Sequence, residues 1–287
     1  MDKFIDGRKI SESILSDLAA KFTAISGRVG RPARLVSFMA GKDKNAEIYV
    51  KVQERVASKI RIDFGIERLS SEAKEKDVLE VIEKLNADKD VTAVIIQHPL
   101  PNGINHSKIV SALLPEKDAE GVHPYNLGRI FRREADIVPC TPGAVMKILR
   151  MANIDLYGRD VVIVGHSDIV GKPLSLMLLN ETATTSVCHL GTAEKGDIKA
   201  YTKKADILIV AVGKAGMVKR DWIKEGAVVI DVGINSVSGE IKGDVDLPSV
   251  ADKVSFITPV PGGVGPVTVS ILMRNVLRAY ERQNTIV

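Results

Sequence analysis

The 287-residue sequence predicts an α/β protein with parallel sheets, organised as two domains. Short apolar runs of strand length alternate with segments of helical periodicity along the chain. Several of these runs have almost no polar interruption, which is typical of parallel strands covered on both faces. A chain of this length suffices for two modest domains, each with its own core.

The first half of the chain contains two predicted strands, at residues 34–39 and 93–97, and between them a helix that begins near Asn45. Tyr49 and Gln53 lie four residues apart in this helix, so we expect them on one line at the edge of the packed surface. A neighbouring line of apolar residues, also four apart, is predicted to be the buried stripe: Ile48, Val52, Val56 and Ile60.

Residues 138–144, VPCTPGA, contain two prolines and a glycine and are predicted to form a hinge or linker. Residues 1–140 are therefore assigned to a first domain and residues 141–268 to a second. In the second domain, strands are predicted at 160–164, 184–188, 207–212 and 227–232, and a helix starts at Gly171. A last helix, from Thr268 to about Arg282, is expected to return to the first domain, which residues 269–287 would complete.

Charge and cysteine content exclude several classes of protein. The formal net charge of +4 is well short of a nucleic-acid-binding signature, although it suits anionic small molecules as well as a merely solvated surface. Cys140 and Cys188 are far apart, which argues against a disulfide framework or a metal site and favours a reducing compartment. The charged N-terminus and the absence of a long apolar segment favour a cytoplasmic protein without a membrane partner.

The first motif that could carry chemistry is VVIVGHSDIVGKP, residues 161–173. A strand ends at Gly165, and a tight turn leads to Gly171 and a helix. Such a turn offers close backbone approach and free helix N–H groups to a pyrophosphate. The alternative is a glycine-rich turn that binds nothing.

Three further segments are candidates for ligand-facing loops. FITPVPGGVGPVT, residues 256–268, concentrates three glycines and three prolines at the end of an apolar strand. In VIIQHPLP, residues 94–101, Gln97 ends a buried strand, where α/β sheets bind ligands. PEKDAEGVHPYNLG, residues 115–128, carries Asp118 and Glu120. The respective alternatives are an irregular turn, a capping amide and a solvated acidic turn.

Taken in order, these motifs resemble the FolD family, methylenetetrahydrofolate dehydrogenase/cyclohydrolase. The matching pieces are Tyr49 in its helix, QHPLP, KDAEG, PCTP, GHSDIVGKP, DVGIN, GDVD and TPVPGGVGP. The resemblance implies two α/β domains around a cleft, the second of them Rossmann-like, usually as a homodimer. It implies oxidation of 5,10-methylenetetrahydrofolate by NADP or, alternatively, NAD, with tetrahydrofolate as the one-carbon carrier and no nucleic acid or metal involved.

The resemblance also assigns candidate residues. Tyr49, Gln53, Gln97 and Glu120 take the catalytic positions, and Tyr49, Gln97 and Glu120 are expected to line the folate site. The remaining substrate contacts are expected from Pro261, Gly262 and Gly263. The implied dinucleotide-binding positions are Gly165, His166, Ser167, Ile169, Gly171, His189 and Ile234.

The chain departs from the family pattern at four of its functional positions. Gln53 stands where the family has lysine, and Lys51 and Arg55 do not replace it because each lies about 200° away around the helix. Glu120 stands for an aspartate, His166 for an arginine and Leu190 for a serine.

These departures affect the two family activities differently. Hydride removal from the methylene carbon requires no proton transfer, so orientation can suffice. Hydrolysis of the methenyl product benefits from a titrating group, which Gln53 is not. The sequence therefore favours the dehydrogenase over the cyclohydrolase. The alternatives are a bifunctional enzyme with a substitute group and a non-catalytic folate- or dinucleotide-binding protein.

The dinucleotide preference is expected to be less strict for NADP than in typical relatives. By resemblance, positions 166 and 190 hold the ribose 2′-phosphate, and Leu190 offers no hydrogen bond. An imidazole such as that of His166 is only partly charged near neutral pH. No acidic side chain directly follows the strand at 184–188 to select a free 2′-hydroxyl. NADP remains the favoured dinucleotide on family grounds.

Overall fold

The computed structural model describes residues 3–285 and confirms the α/β class with parallel sheets. The chain divides into two compact units. The first unit comprises Ser13–Cys140 and the chain from Val269 onward, and the second comprises the chain up to Glu12 together with Thr141–Thr268. Within residues 3–285, no helix has the length and apolar character needed to cross a bilayer.

The first unit is built on a three-stranded parallel sheet with the order β2-β1-β3. Its apolar core is formed by β1 and β3 with two helices, α3 and α4, and includes Phe38, Ile82 and Ile109. The elements are α1 (Gly7–Val29), β1 (Arg34–Ala40), α2 (Lys44–Lys59), β2 (Asp63–Leu69), α3 (Glu75–Ala87), β3 (Ala93–Ile96), α4 (His106–Ala112) and α5 (Pro124–Phe131).

The predicted buried stripe of α2 is wrong. Ile48 is 63% exposed, and only Ile60 of the four apolar residues is buried. The helix instead buries the face that carries Ala46, Val50, Gln53 and Ala57. The two alanines allow close packing of the helix, and the Gln53 amide accepts a hydrogen bond from Gln97. Tertiary contact thus overrides the periodicity of the larger side chains.

The second unit contains a five-stranded parallel sheet with the order β10-β7-β6-β4-β5. Its elements are α6 (Cys140–Met151), β4 (Asp160–Val164), α7 (Gly171–Asn180), β5 (Thr184–Cys188), α8 (Leu190–Glu194), α9 (Ile198–Thr202), β6 (Ile207–Val210), β7 (Val228–Asp231), β8 (Asn235–Val237), β9 (Glu240–Lys242), α10 (Leu247–Val250) and β10 (Phe256–Ile257). The last helix, α11 (Val264–Gln283), begins in this unit, but from Val269 onward it belongs to the first unit.

This strand order is a doubly wound sheet that begins at β4, adds β5 on one side and then crosses to β6 on the other. The reversal creates a switch point between the carboxyl ends of β4 and β6, which is where such sheets bind ligands. The apolar core beneath it includes Val162, Leu208 and Val229 from three adjacent strands.

The expectation that residues 138–144 form a hinge is wrong in its local structure. Helix α6 begins at Cys140, and both Cys140 and Ala144 are buried. Pro142 is tolerated because it lies in the first helical turn, where its missing N–H has no intrahelical acceptor. Two prolines near a glycine therefore mark a helix start here.

The chain near the N-terminus belongs to the second unit, whereas the sequence division placed it in the first. Ile5 N donates to Ile257 O and Ile257 N donates to Lys3 O, each at 2.9 Å, so this segment extends the sheet edge at β10. The last helix, α11, starts at Val264, four residues before the predicted Thr268.

Candidate active site

Two amide side chains meet in the interior of the first unit. Asp43 caps the start of α2, accepting from Ala46 N at 2.8 Å, and the helix then carries Gln53 to full burial. Gln97, directly after β3, is 4% exposed. Gln97 Nε2 donates to Gln53 Oε1 at 3.2 Å and to Ser37 Oγ at 3.0 Å.

Tyr49 lies one turn before Gln53 on α2 and is partly buried. Burial raises the pKa of its phenol strongly, and the neighbouring Cys140 and Glu120 raise this pKa further. The nearby Gln53 amide acts in the opposite direction and lowers the Tyr49 pKa. Gln53 Nε2 and the phenol oxygen do not, however, meet the geometry of a normal hydrogen bond. The phenol therefore stays neutral at physiological pH and offers a ring face and a hydroxyl rather than a charge.

The KDAEG segment divides its polar residues between structure and site. Lys117 Nζ donates to the carbonyls of Leu85, Asn86 and Asp88 at 2.8, 2.9 and 2.6 Å, which ties the loop to the end of α3. Asp118 accepts from the backbone N–H groups of residues 121 and 123 at 2.9 and 2.8 Å. These two charges therefore hold the loop, and neither is available to a ligand.

Glu120 is the charged residue of this segment whose side chain remains available to a ligand. Its side chain is partly buried and forms no hydrogen bond or ion pair with the part of the chain that the structure describes. Burial, with a smaller contribution from Asp118, raises its pKa to about 8. A carboxyl of this kind is present in both protonation states near neutral pH, as proton-transfer chemistry requires.

The backbone at Glu120 is held by Asn275 of α11 and by Cys140. Asn275 Nδ2 donates to Ala119 O at 2.9 Å and to Val138 O at 2.8 Å. Cys140 N donates to Glu120 O at 3.2 Å. The carboxyl thus projects from a rigid segment, and the raised pKa of the buried Cys140 thiol leaves that group neutral.

The turn after β4 has the backbone shape that a dinucleotide phosphate needs. Gly165 has a φ of 124°, and a Cβ there would overlap the Ala211 carbonyl oxygen at the end of β6. A Cβ on Gly171 would overlap Gly165 O in the same way. The two glycines let the strand end, the turn and the α7 N-terminus pack together at the switch point, and α7 begins after Val170 with no side-chain cap.

The side chains around this turn are exposed. The rings of His166 and His189 lie with their centroids 5.0 Å apart. His189 Nδ1 accepts from Gly191 N at 3.2 Å, at the start of α8. Leu190, which follows His189, is 71% exposed. The predicted 2′-phosphate position therefore lies beside two imidazole rings.

The other predicted dinucleotide contacts lie in the same unit. Ser167 Oγ accepts from Val170 N at 3.2 Å, inside the turn. Ile169 is 43% exposed and Ile234 is 65% exposed, so both offer apolar surface.

Two buried aspartates, whose roles sequence reasoning missed, shape the loops beside the switch point. Asp244 accepts from the N–H groups of residues 212–214, at 2.7, 2.9 and 2.8 Å, directly after β6. Asp231 accepts from Gly233 N and Asp244 N at 3.0 Å and from Val245 N at 2.9 Å. Burial raises the pKa of Asp231 to about 6, against the opposing effect of these donors. The DVGIN and GDVD motifs are therefore hydrogen-bonded to each other.

The glycine-rich loop after β10 belongs to the second unit. Thr258 Oγ1, at its start, accepts from Asp231 N at 2.8 Å. Pro261 is exposed, Gly262 is partly buried and Gly263 is buried. The structure thus groups Tyr49, Gln53, Gln97 and Glu120 in the first unit. The glycine-rich loop and all predicted dinucleotide positions lie in the second.

Ser37 joins the first group although the sequence reading did not select it. The available signal was one hydroxyl within the apolar run RLVSFMA, because a buried hydroxyl must have a partner. Within residues 3–285, no three histidine, cysteine, aspartate or glutamate side chains gather as metal ligands.

Comparison with known families matches nearly the whole chain. The family model of the tetrahydrofolate dehydrogenase/cyclohydrolase catalytic domain matches residues 5–120. The model of the NAD(P)-binding domain of the same family matches residues 139–284. The two matched regions contain, respectively, the buried amide pair with Glu120 and the turn at the switch point.

Individual relatives match over similar lengths. The chain is 42% identical over 275 residues to the bifunctional protein FolD of Exiguobacterium sibiricum, covering 96% of this chain and 98% of that one. Among solved structures, the FolD methylenetetrahydrofolate dehydrogenase/cyclohydrolase of Campylobacter jejuni is 38% identical with a TM-score of 0.94, covering 97% and 98% of the two chains. The Trypanosoma brucei enzyme, solved with NADP and an inhibitor, is 35% identical with a TM-score of 0.92 and 97% coverage of both.

Proposed function

Because this chain belongs to the tetrahydrofolate dehydrogenase/cyclohydrolase family, we propose that it oxidises 5,10-methylenetetrahydrofolate to 5,10-methenyltetrahydrofolate with a nicotinamide dinucleotide. The observation that carries the proposal is the grouping of Gln97, Tyr49 and Glu120 in the catalytic region, with their loops held by structural contacts. Glu120 and Gln53 Nε2 lack protein partners within residues 3–285, so both are available to a bound substrate.

The residues of the first unit bind and orient the folate. The Glu120 carboxylate accepts hydrogen bonds from the amino group and adjacent ring N–H of the pterin. The Tyr49 ring supplies a face for the aromatic part of the substrate. The methylene carbon lies between two nitrogens whose lone pairs stabilise the cation formed when hydride departs. No side chain needs to move a proton in this step, so positioning by neutral groups is sufficient.

The second unit fits a dinucleotide. The backbone cradle at Gly165 and Gly171, which a Cβ would fill, matches the close approach of a pyrophosphate, and the α7 N-terminus adds N–H donors. When bound, the dinucleotide supplies the hydride acceptor. His166 and His189 support a preference for NADP because imidazole N–H groups can donate to a 2′-phosphate, whereas Leu190 makes that preference weaker than an arginine–serine pair would.

We further propose that cyclohydrolase activity is weak, because Gln53 does not titrate and is held by Gln97. A second candidate function, full bifunctionality, is favoured by one observation: the pKa of Glu120 is raised to about 8, which would let this carboxyl exchange a proton with water. Substituting Glu120→Gln and measuring kcat of methenyl hydrolysis at saturating substrate separates the two. Weaker pterin binding raises KM in both cases, whereas only the second candidate predicts a fall in kcat.

The proposed assembly and compartment are a homodimer in the cytoplasm. Family resemblance supports the homodimer. Two free, buried cysteines support a reducing compartment.

The deciding experiment incubates the folded protein with 5,10-methylenetetrahydrofolate and either NADP or NAD, and follows absorbance of the reduced dinucleotide. We expect turnover with both dinucleotides and a higher kcat/KM with NADP. Absence of turnover with either one, in a preparation with a cooperative thermal transition, would rule out the dehydrogenase.

A further inference from the structure

Ser37 is a buried polar residue in an otherwise apolar strand. It lies in β1, between Val36 and Phe38, and its side chain is completely buried. A hydroxyl in this position is costly unless it forms a hydrogen bond. It has one, since Ser37 Oγ accepts from Gln97 Nε2 at 3.0 Å. Packing alone gives no reason for a serine here, because an alanine or valine would suit an apolar strand.

The hydrogen bonds of three of the four polar side-chain atoms of the two amides can be followed. Gln97 Nε2 has two hydrogens, and both are used, one toward Ser37 Oγ and one toward Gln53 Oε1 at 3.2 Å. Gln53 therefore has its oxygen occupied, while its Nε2 is buried and has no partner within residues 3–285. A buried donor without a partner is destabilising unless a ligand or water satisfies it.

The position of this free donor matches the chemistry of the proposed substrate. Glu120 can accept from the amino group and ring N–H of a pterin, and the group next to that ring N–H is a carbonyl. Tyr49 lies close to both Glu120 and Gln53, and its phenol is neutral. An amide N–H donor close to the same phenol as the carboxylate can therefore complement this edge of the pterin. A neutral donor thus stands where a lysine would place a positive charge.

We propose that Ser37 is a positioning residue that holds Gln97, and through Gln97 holds Gln53, so that Gln53 Nε2 donates to the carbonyl oxygen of the bound pterin. The inference rests on the proposed function and deepens it. Ser37 itself does not touch the substrate. It removes the rotational freedom of two amides before the substrate arrives, which lowers the entropy lost on binding.

The test measures dehydrogenase KM and kcat for Ser37→Ala, Ser37→Thr and Thr92→Val. Ser37→Ala removes one hydrogen bond of the chain, and we expect the folate KM to rise about threefold to tenfold while kcat changes less than about twofold. Ser37→Thr keeps a hydroxyl on a strand-compatible side chain and should restore the KM. Thr92→Val is the matched control, because Thr92 is also a buried hydroxyl of this unit and accepts from Arg34 N at 3.0 Å.

A double-mutant cycle separates positioning from simple destabilisation. Gln53→Leu removes the free donor, so adding Ser37→Ala to it should raise the folate KM no further. Additive effects, an unchanged KM in Ser37→Ala, a failure of Ser37→Thr to restore it, or an equal rise in Thr92→Val would each overturn the inference.

Calorimetric titration with tetrahydrofolate distinguishes this failure from that of the proposed function. If the native protein binds the folate without turnover, the dehydrogenase proposal fails. The double-mutant cycle is then measured with the folate dissociation constants in place of KM. If the native protein binds no folate, both proposals are overturned.

Discussion

The two proposed binding regions are built in opposite ways. In the first unit, the functional groups are side chains withdrawn from solvent, and Gln53 and Gln97 are held by each other. In the second unit, the turn depends on backbone shape at Gly165, while the nearby His166 and Leu190 are exposed. A change of one side chain should therefore alter the chemistry of the first region, but only the selectivity of the second.

The largest effect is expected from Gln53→Lys in the first region. A lysine at this buried position can donate a charged hydrogen bond and exchange a proton with water, so methenyl hydrolysis above background should rise about 10²–10⁴-fold. Dehydrogenase turnover should change far less, because hydride transfer needs no proton. Both rates are measured on the same preparation.

Glu54→Lys is the matched control, since residue 54 is exposed on the same helix and should leave hydrolysis unchanged. The prediction for Gln53→Lys would be contradicted if the native protein already hydrolysed the methenyl compound at a rate similar to its dehydrogenase turnover.

The next largest effect is expected from the backbone of the second region. Gly165→Ala adds a Cβ that would overlap the Ala211 carbonyl, at a φ of 124°. The turn must then move, and we expect the dissociation constant for either dinucleotide to rise about tenfold or more, equivalent to about 1.4 kcal/mol. Gly158→Ala is the control, because Gly158 also has a positive φ, 68°, but faces open space. Equal losses in both variants would show that backbone strain alone is responsible.

A pH-dependent effect is expected from Glu120. Its pKa of about 8 means that the free protein must lose a proton before the carboxylate can accept from the pterin. The folate KM should therefore fall as pH rises toward 8, by up to about tenfold per pH unit, and level off above it. Glu120→Gln should bind more weakly and show no such slope. A native KM that is independent of pH between 6 and 8 would contradict this role.

The Glu120 carboxyl should also make the free energy of unfolding fall as pH rises, whereas folate binding improves over the same range. Its folded pKa of about 8 exceeds the ordinary value of 4.5, so the folded protein binds more protons between these two pH values. This contribution to stability is fully present below 4.5 and is lost as pH rises through 8. In urea unfolding, the midpoint of Glu120→Gln should fall less than that of the native protein over this range.

The smallest effect is expected from the exposed residues of the second region. A guanidinium at position 166 would offer a permanent charge and a planar set of N–H donors that match a phosphate. His166→Arg should therefore raise the ratio of NADP to NAD affinity, by only about threefold to tenfold because the position is solvent-exposed. Fluorescence titration with both dinucleotides measures the ratio, and an unchanged ratio in this variant would exclude position 166 as a phosphate contact.

Prediction from sequence succeeded where local pattern decides structure. The strands at 160–164 and 184–188 were placed to the residue, since each is a short run bounded by turns. The prediction is wrong at α2. Four larger apolar residues are spaced as a buried stripe, but the helix buries a face of two alanines, one valine and one amide instead. At 138–144 the chain changes from one unit to the other, between Cys140 and Thr141, but the backbone there is the start of a helix and not an irregular linker.

The sequence by itself determined the α/β class, the glycine turn after β4 and the type of chemistry that Gln53 excludes, because propensity, glycine spacing and side-chain protonation are properties of near neighbours. Tertiary structure alone decided that Gln53 is buried and that Ser37 supports Gln97. These hydrogen bonds join residues 44 and 60 positions apart. Such pairings depend on strand order and on the packing of α2 against the sheet, which no local pattern records.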